Sequence, residues 1–133
     1  MVYQENYLMT KPVLQSKATK ILIVEDQGEM CLVLNLLLNE ENMELDHVTN
    51  LLDADEYLKK EQPSLIILDN KLPDGYGVDF IGYLKKNYPS VKIIMISGFP
   101  SVKDIALDNG ADFFLEKPFE MEHLLQSVKT LVN

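Results

Sequence analysis

Short, unbroken runs of Ile, Leu and Val recur along the chain at Ile21–Val24, Leu65–Leu68 and Ile93–Ile96. A strand with one wet face alternates apolar and polar residues, so an unbroken run predicts burial on both faces, as in a parallel sheet covered by helices. Leu45–Thr49 and Asp112–Glu116 are shorter and more mixed, which places them toward the sheet edges. Between the runs the apolar spacing changes to three and four. Glu29–Asn39 sets Met30, Val33, Leu34, Leu37 and Leu38 near one helix face. Asn50, with Asp53 three residues on, reads as the N-cap of a helix over Leu51–Lys60, its first-turn acids suiting the helix dipole. Val78–Asn87 brings Phe80, Ile81 and Leu84 together before a Tyr88-Pro89 stop. Ser101 is the expected cap of Val102–Asn109, which ends at Gly110 in a left-handed C-cap. A last helix, Glu120–Val132, carries Met121, Leu124, Leu125, Val128 and Leu131.

Five strand–helix units in succession predict an α/β fold: a doubly wound (βα)5 three-layer sandwich around a five-stranded parallel sheet. Residues 1–19, around Pro12, hold no sustained period and read as a flexible leader arm before a single domain over 20–133.

Charge narrows the function classes. The 133 residues include 12 Lys, no Arg and 21 acids, for a net charge of -9. Residues 1–20 carry three Lys and one Glu, so nine Lys face twenty acids in the rest, and the acidity belongs to the folded part. Such a surface disfavours nucleic acid and anionic membrane as partners. No stretch approaches the roughly 20 apolar residues of a membrane span, and the N-terminus lacks a signal-peptide core. The single cysteine, Cys31, has no disulfide partner and fits a small apolar role near the core. A cytoplasmic location is expected.

In open parallel sheets, ligands bind beyond the carboxyl ends of the strands. Glu25 and Asp26 follow Val24, Asp69 follows Leu68, Ser97 follows Ile96, and Lys117 follows Glu116. Three carboxylates converging on one rim repel one another unless a cation neutralises them. Oxygen-only ligands point to Mg²⁺ (or Mn²⁺), an ion that keeps some waters and works with phosphoryl groups. A neighbouring ammonium and hydroxyl supply donors for phosphoryl oxygens. Each element alone has a plainer reading: the acidic pair as a helix cap, and Asp69-Asn70-Lys71-Leu72-Pro73-Asp74-Gly75 as a turn. It is their coincidence at four strand ends that points to a site.

Those residues lie in ILIVED (21–26), LIILDNKLPDGYG (65–77), IIMISG (93–98) and GADFFLEKPF (110–119), and over residues 20–133 the sequence resembles a receiver domain of two-component response regulators. The resemblance implies a flavodoxin-like strand order, 2-1-3-4-5. It implies Asp69 as phosphoacceptor, Asp26 as a direct metal ligand and Glu25 as a ligand through water, a place the family fills with Asp or Glu. Lys71 would offer its backbone carbonyl to the metal. Ser97 would bond the phosphoryl group and Lys117 would pair with the acceptor. Phe114 occupies the place of an aromatic rotamer switch, and Lys117-Pro118 that of a cis bond. The implied donor is a histidine kinase or histidine phosphotransfer protein. The output would be an altered surface for a downstream protein, in a monomer or a phosphorylation-dependent dimer.

The Lys71 side chain and Phe99 flank the path of the hydrolytic water, and a bulky Phe99 is expected to prolong the phosphoryl lifetime. Lys71 is alternatively placed to reach the phosphoryl group itself. Mg-dependent self-phosphorylation from phosphodonors and autodephosphorylation are the only chemistry expected, so the protein is not read as an enzyme.

Three alternatives stand beside this reading: a degenerate receiver acting as a scaffold, the excised receiver of a longer regulator, and a haloacid-dehalogenase-type hydrolase. The last requires a second Asp two residues after the nucleophile, where Lys71 stands. Nothing after Val132 is left for an effector, so a stand-alone receiver is expected. His47 and His123 lack partners at metal spacing, the scattered Met residues read as core filler, and Tyr3 and Tyr7 fall in the leader.

Overall fold

A computed structural model describes residues 18–38 and 42–132. The expected leader arm lies outside these residues except for its last two positions, and Thr19 already belongs to the sheet. The chain runs β1 (Thr19–Val24), α1 (Glu29–Leu37), β2 (Met43–Val48), α2 (Leu51–Leu58), β3 (Leu65–Asp69), α3 (Gly77–Asn87), β4 (Lys92–Ser97), α4 (Lys103–Asn109), β5 (Phe113–Glu116) and α5 (Met121–Val132). The sheet order is β2-β1-β3-β4-β5, every pair parallel, as the family resemblance implies. The two strands with mixed composition are indeed the edges. A two-residue antiparallel ladder, Lys71–Leu72 with Gly75–Tyr76, sits between β3 and α3.

The unbroken apolar runs are buried on both faces because alternate residues serve separate cores. Leu22, Val24, Ile66, Leu68, Ile93 and Met95 pack against α2, α3 and α4 through Ala54, Leu58, Ile81, Leu84 and Ala106. Ile21, Ile23, Leu65, Ile67, Ile94 and Ile96 pack against α1 and α5 through Leu34, Leu38, Leu124 and Val128. Burying each such side chain contributes on the order of 1.5–3 kcal/mol, so these two cores fix where the strands end.

Several local expectations change. On α1 only Leu34 is buried, with Leu38 just past its end, whereas Val33 and Leu37 are exposed together with Leu32 and Leu36. The helix offers the sheet a strip narrower than its apolar periodicity predicted. The expected end of α1 at Asn39 falls outside the described residues. Ser101 caps nothing: Pro100 opens a 3-10 turn over Pro100–Val102, and α4 begins only at Lys103 with no side-chain cap. Gly110 does close α4 at positive φ (+120°). Asp112 precedes β5 instead of opening it, and its carboxylate accepts the Ile93 N–H at 2.8 Å. Met30, Met43, Met95 and Met121 line the two cores, as filler should. Cys31 is half-buried against the α1–α5 core, and burial pushes its thiol pKa up, aided by the nearby charges of Glu25 and Asp46. His123 is exposed on α5.

Asn50 caps α2 as predicted, its side chain accepting the Asp53 N–H at 2.8 Å. A second cap comes from far along the chain. Asp74, in the turn of the small ladder, accepts the N–H groups of Leu51 and Leu52, each at 2.9 Å. Two of the helix's orphan donors thereby end on the loop that follows Asp69. The Leu51 N–H holds the Asp74 carboxyl below its ordinary pKa; desolvation opposes it, and the Leu52 N–H adds to the lowering. A depressed folded-state pKa gives stability that is complete above the unfolded value of about 3.9 and is lost as pH falls through the folded value. Urea unfolding of Asp74→Ala at pH 7 is therefore expected to show a loss of about 1 kcal/mol. Repeating the pair of titrations at successively lower pH should close the gap. A gap that persists in acid would mean that Asp74 acts by something other than its charged cap.

Candidate functional site

The carboxyl ends of β1, β3, β4 and β5 open into one cleft of about 470 Å³, lined by Glu25, Asp26, Asp69, Lys71, Ser97, Phe99 and Lys117 among others. All the strand-end residues singled out from the sequence are thus brought together. Asp69 is the last residue of β3, the central strand, and its side chain is only 9% exposed. Ser97 ends β4 and is buried. Lys117 follows β5, and its backbone N–H bonds to the Ser97 carbonyl at 2.8 Å, which sets the Lys stem beside β4. The Lys117-Pro118 bond is cis.

Lys117 Nζ lies 3.2 and 3.1 Å from the two carboxylate oxygens of Asp69. Asp69 Oδ1 also accepts the Asn70 N–H at 2.8 Å. A carboxylate largely removed from water needs such partners, and a charge-assisted pair with an added amide donor meets most of its hydrogen-bonding capacity. Ser97 Oγ accepts the Phe99 N–H at 2.9 Å, leaving the hydroxyl hydrogen able to donate. Phe99 itself is 52% exposed at the rim. Phe114 is half-buried on β5, against the core on the α2–α3–α4 side.

The three acids line the same cleft but differ in setting. Among the described residues no three His, Cys, Asp or Glu side chains group closely enough to hold an ion. Glu25 is buried and directed to α1, where it accepts the Met30 N–H at 3.1 Å, in the manner of its plainer reading as a helix cap. Asp26 is exposed in the cleft. The donor set that remains is two carboxylates, with Lys71 lining the same cleft. It fits a hard cation that is only partly held by protein and keeps waters or phosphoryl oxygens as its other ligands.

Three supporting residues escaped the sequence reading. His47 lies with Nε2 2.7 Å from the Glu25 carbonyl, so the ring donates there and holds the acidic loop. Asn70 is 3% exposed, with Oδ1 accepting the Val78 N–H at 3.0 Å and its carbonyl accepting the Gly77 N–H at 2.7 Å. Gly77 has no room for a side chain, since an added Cβ would stand 2.3 Å from the Asp69 carbonyl oxygen. The turn read from the sequence ended at Gly75, so the close approach of Gly77 to Asp69 was not legible.

Residues 21–129 match the response regulator receiver domain family. The chain is 32% identical over 116 residues to the response regulator protein PilR of Pseudomonas aeruginosa, covering 86% of this chain and 26% of that protein. It is 30% identical over 112 residues to sporulation initiation phosphotransferase F of Bacillus subtilis, covering 83% of this chain and 90% of that one. Among solved structures, the response regulator TrrA of Thermotoga maritima in complex with Mg(2+)-BeF superposes with a TM-score of 0.74 at 28% identity, covering 85% of this chain and 98% of that one. The chain spans between about a quarter and a half of the length of most of the curated relatives it matches. No helix among the described residues is long and apolar enough to cross a membrane. With the sheet order, the cleft and the family match in agreement, the chain belongs to the response regulator receiver domain family.

Proposed function

We propose that this protein is a phosphorylation-operated switch of two-component signalling, with Asp69 as the residue that takes the phosphoryl group. The observation that carries the reading is the Asp69 carboxylate, buried at the end of the central strand and held by the Lys117 ammonium inside a cleft shared with Asp26 and Ser97. One carboxylate oxygen of Asp69 attacks the phosphorus of a phosphohistidine on a kinase or phosphotransfer protein. A P–O bond to Asp69 forms as the P–N bond breaks, and the imidazole leaves and takes up a proton. Lys117 orients the nucleophile before transfer and afterwards faces the new phosphoryl oxygens. Ser97, whose oxygen already accepts from Phe99, donates its hydroxyl hydrogen to one of them.

Asp26, Asp69 and the Lys71 carbonyl would hold Mg²⁺ (or Mn²⁺), with Glu25 acting through a bound water. The ion supplies charge neutralisation for the phosphoryl oxygens. The complex of TrrA with Mg(2+)-BeF supports a divalent cation in this family's chemistry.

The acyl phosphate adds negative charge and acceptor oxygens at one point. Ser97 is drawn toward them, and Phe114, on the neighbouring edge strand, moves with it, reshaping the face made by α4, β5 and α5. This is a bias between two conformations, set by contacts that only one of them makes with the phosphoryl group. The reader of that face is a downstream protein, and the setting is the cytoplasm. The protein turns over no substrate; its chemistry is its own phosphorylation and dephosphorylation. The match along 90% of the sporulation phosphotransferase supports action as a separate receiver, and the match to 26% of PilR supports action as the receiver of a longer regulator.

Incubation with acetyl phosphate and Mg²⁺, followed by phosphate-affinity electrophoresis, tests the assignment. The wild type should give a retarded band and Asp69→Asn none; no shift in the wild type, or equal shifts in both, would sink the reading. The exposed ring of Phe99 shields the approach of water to the cleft. Phe99→Ala is therefore expected to shorten the lifetime of the phosphorylated form about threefold, by removing bulk that excludes water. Phosphate release from purified phosphoprotein measures this, and an unchanged rate would remove Phe99 from the account.

A further inference from the structure

The strand alternation that sends Ile66 and Leu68 into the α2–α3–α4 core calls for an apolar residue at the next place in that series, and the chain has Asn70 there. Its 3% exposure makes the choice costly unless the amide is hydrogen-bonded. We propose that Asn70 is a positioning residue for the Asp69 carboxylate, transmitting the rigidity of α3 to the acceptor. This inference rests on the reading of Asp69 as phosphoacceptor.

The contacts form a closed circuit. Helix α3 is anchored in the core by Ile81 and Leu84. Two of its orphan N–H groups end on Asn70, Gly77 on the backbone carbonyl at 2.7 Å and Val78 on the side-chain Oδ1 at 3.0 Å. The Asn70 N–H reaches the Ile96 carbonyl at 3.0 Å and Asp69 Oδ1 at 2.8 Å, so one amide both extends the β3–β4 ladder and holds the acceptor. Gly77 closes the circuit, since its missing Cβ lets the first turn of α3 rest against the Asp69 carbonyl.

The side-chain bond to Val78 is the element that sequence variation can remove. Without it the buried Val78 N–H has no acceptor, and the first turn of α3 is free to shift. The Asn70 N–H then loses its aim at Oδ1. Asp69 is left with Lys117 alone, whose long and partly exposed side chain follows a rotating carboxylate instead of fixing it. The same shift turns the following peptide, and with it the Lys71 carbonyl assigned to the cation.

Two variants separate positioning from stability. Asn70→Leu keeps the volume and removes the acceptor; Asn70→Asp keeps an oxygen for the Val78 N–H. Initial rates of phosphorylation by acetyl phosphate are measured against donor and Mg²⁺ concentration, with the wild type alongside and amide spectra to confirm the fold. Asn70→Leu should lower the maximal rate about tenfold and raise the Mg²⁺ needed for half-saturation, while Asn70→Asp stays within about threefold of wild type. If Asn70→Leu does not fold, the rate of Asn70→Asp decides. A wild-type rate and Mg²⁺ dependence in the Leu variant, or a loss in the Asp variant as large as that expected for Leu, overturns the inference. A wild type that takes no phosphoryl group overturns the reading of Asp69 and this inference together.

Discussion

One ammonium, Lys117 Nζ, stands 3.1 and 3.2 Å from the two oxygens of a carboxylate at the end of the central strand. Asp69 lies on β3, with β1 and β4 on either side and helices above and below, so its charge is poorly reached by water. An ionised group there is expensive unless a cation and hydrogen-bond donors surround it. Removing the cation from such a pair leaves a nearly bare anion, whereas adding a second cation or a phosphoryl group changes which oxygens the ammonium faces. The contact that makes a buried Asp69 carboxylate tolerable is thus also the one that a change in its charge would disturb.

The sheet makes that contact possible by keeping chain positions 48 residues apart in one layer. Parallel pairing of β3 with β4 and of β4 with β5 puts Asp69 beside Ile96, and Ser97 beside Glu116. Lys117 then continues from the edge strand and is pinned to Ser97 by a backbone bond. On the other side, the β3–α3 loop is tied to α3 through Asn70 and to α2 through Asp74. Loops are usually the softest part of an α/β fold. Here the loop carrying Lys71 is hydrogen-bonded to the starts of two helices, so under the proposed function a phosphoryl group on Asp69 would act on elements already coupled to the cores.

Much of this was legible in the sequence, because the signals are local. Unbroken Ile, Leu and Val runs are required by strands buried on two faces, and the polar residues that end them are where a sheet meets solvent. Asn50 could be read as a cap because its partner, Asp53, is three residues away. The roles of Asn70, Gly77 and Asp74 were not legible. Each depends on a loop folding back on a helix, and the Asp74 contact spans more than twenty residues. Glu25 was read in the first instance by its charge, whereas the start of α1 lies close enough to take its carboxylate as a cap. The apolar face assigned to α1 was too wide, because how much of a helix a sheet covers is set by docking angle and not by periodicity.

The most direct test of the account identifies the modified atom group itself. Borohydride reduces an acyl phosphate to an alcohol, so treating the phosphorylated protein and mapping its peptides by mass marks the acceptor. Conversion of Asp69 to homoserine, with Glu25 and Asp26 unchanged, is the result the Lys117–Asp69 geometry predicts. Reduction at another acid, or none at all in protein shown to carry phosphate, would contradict it.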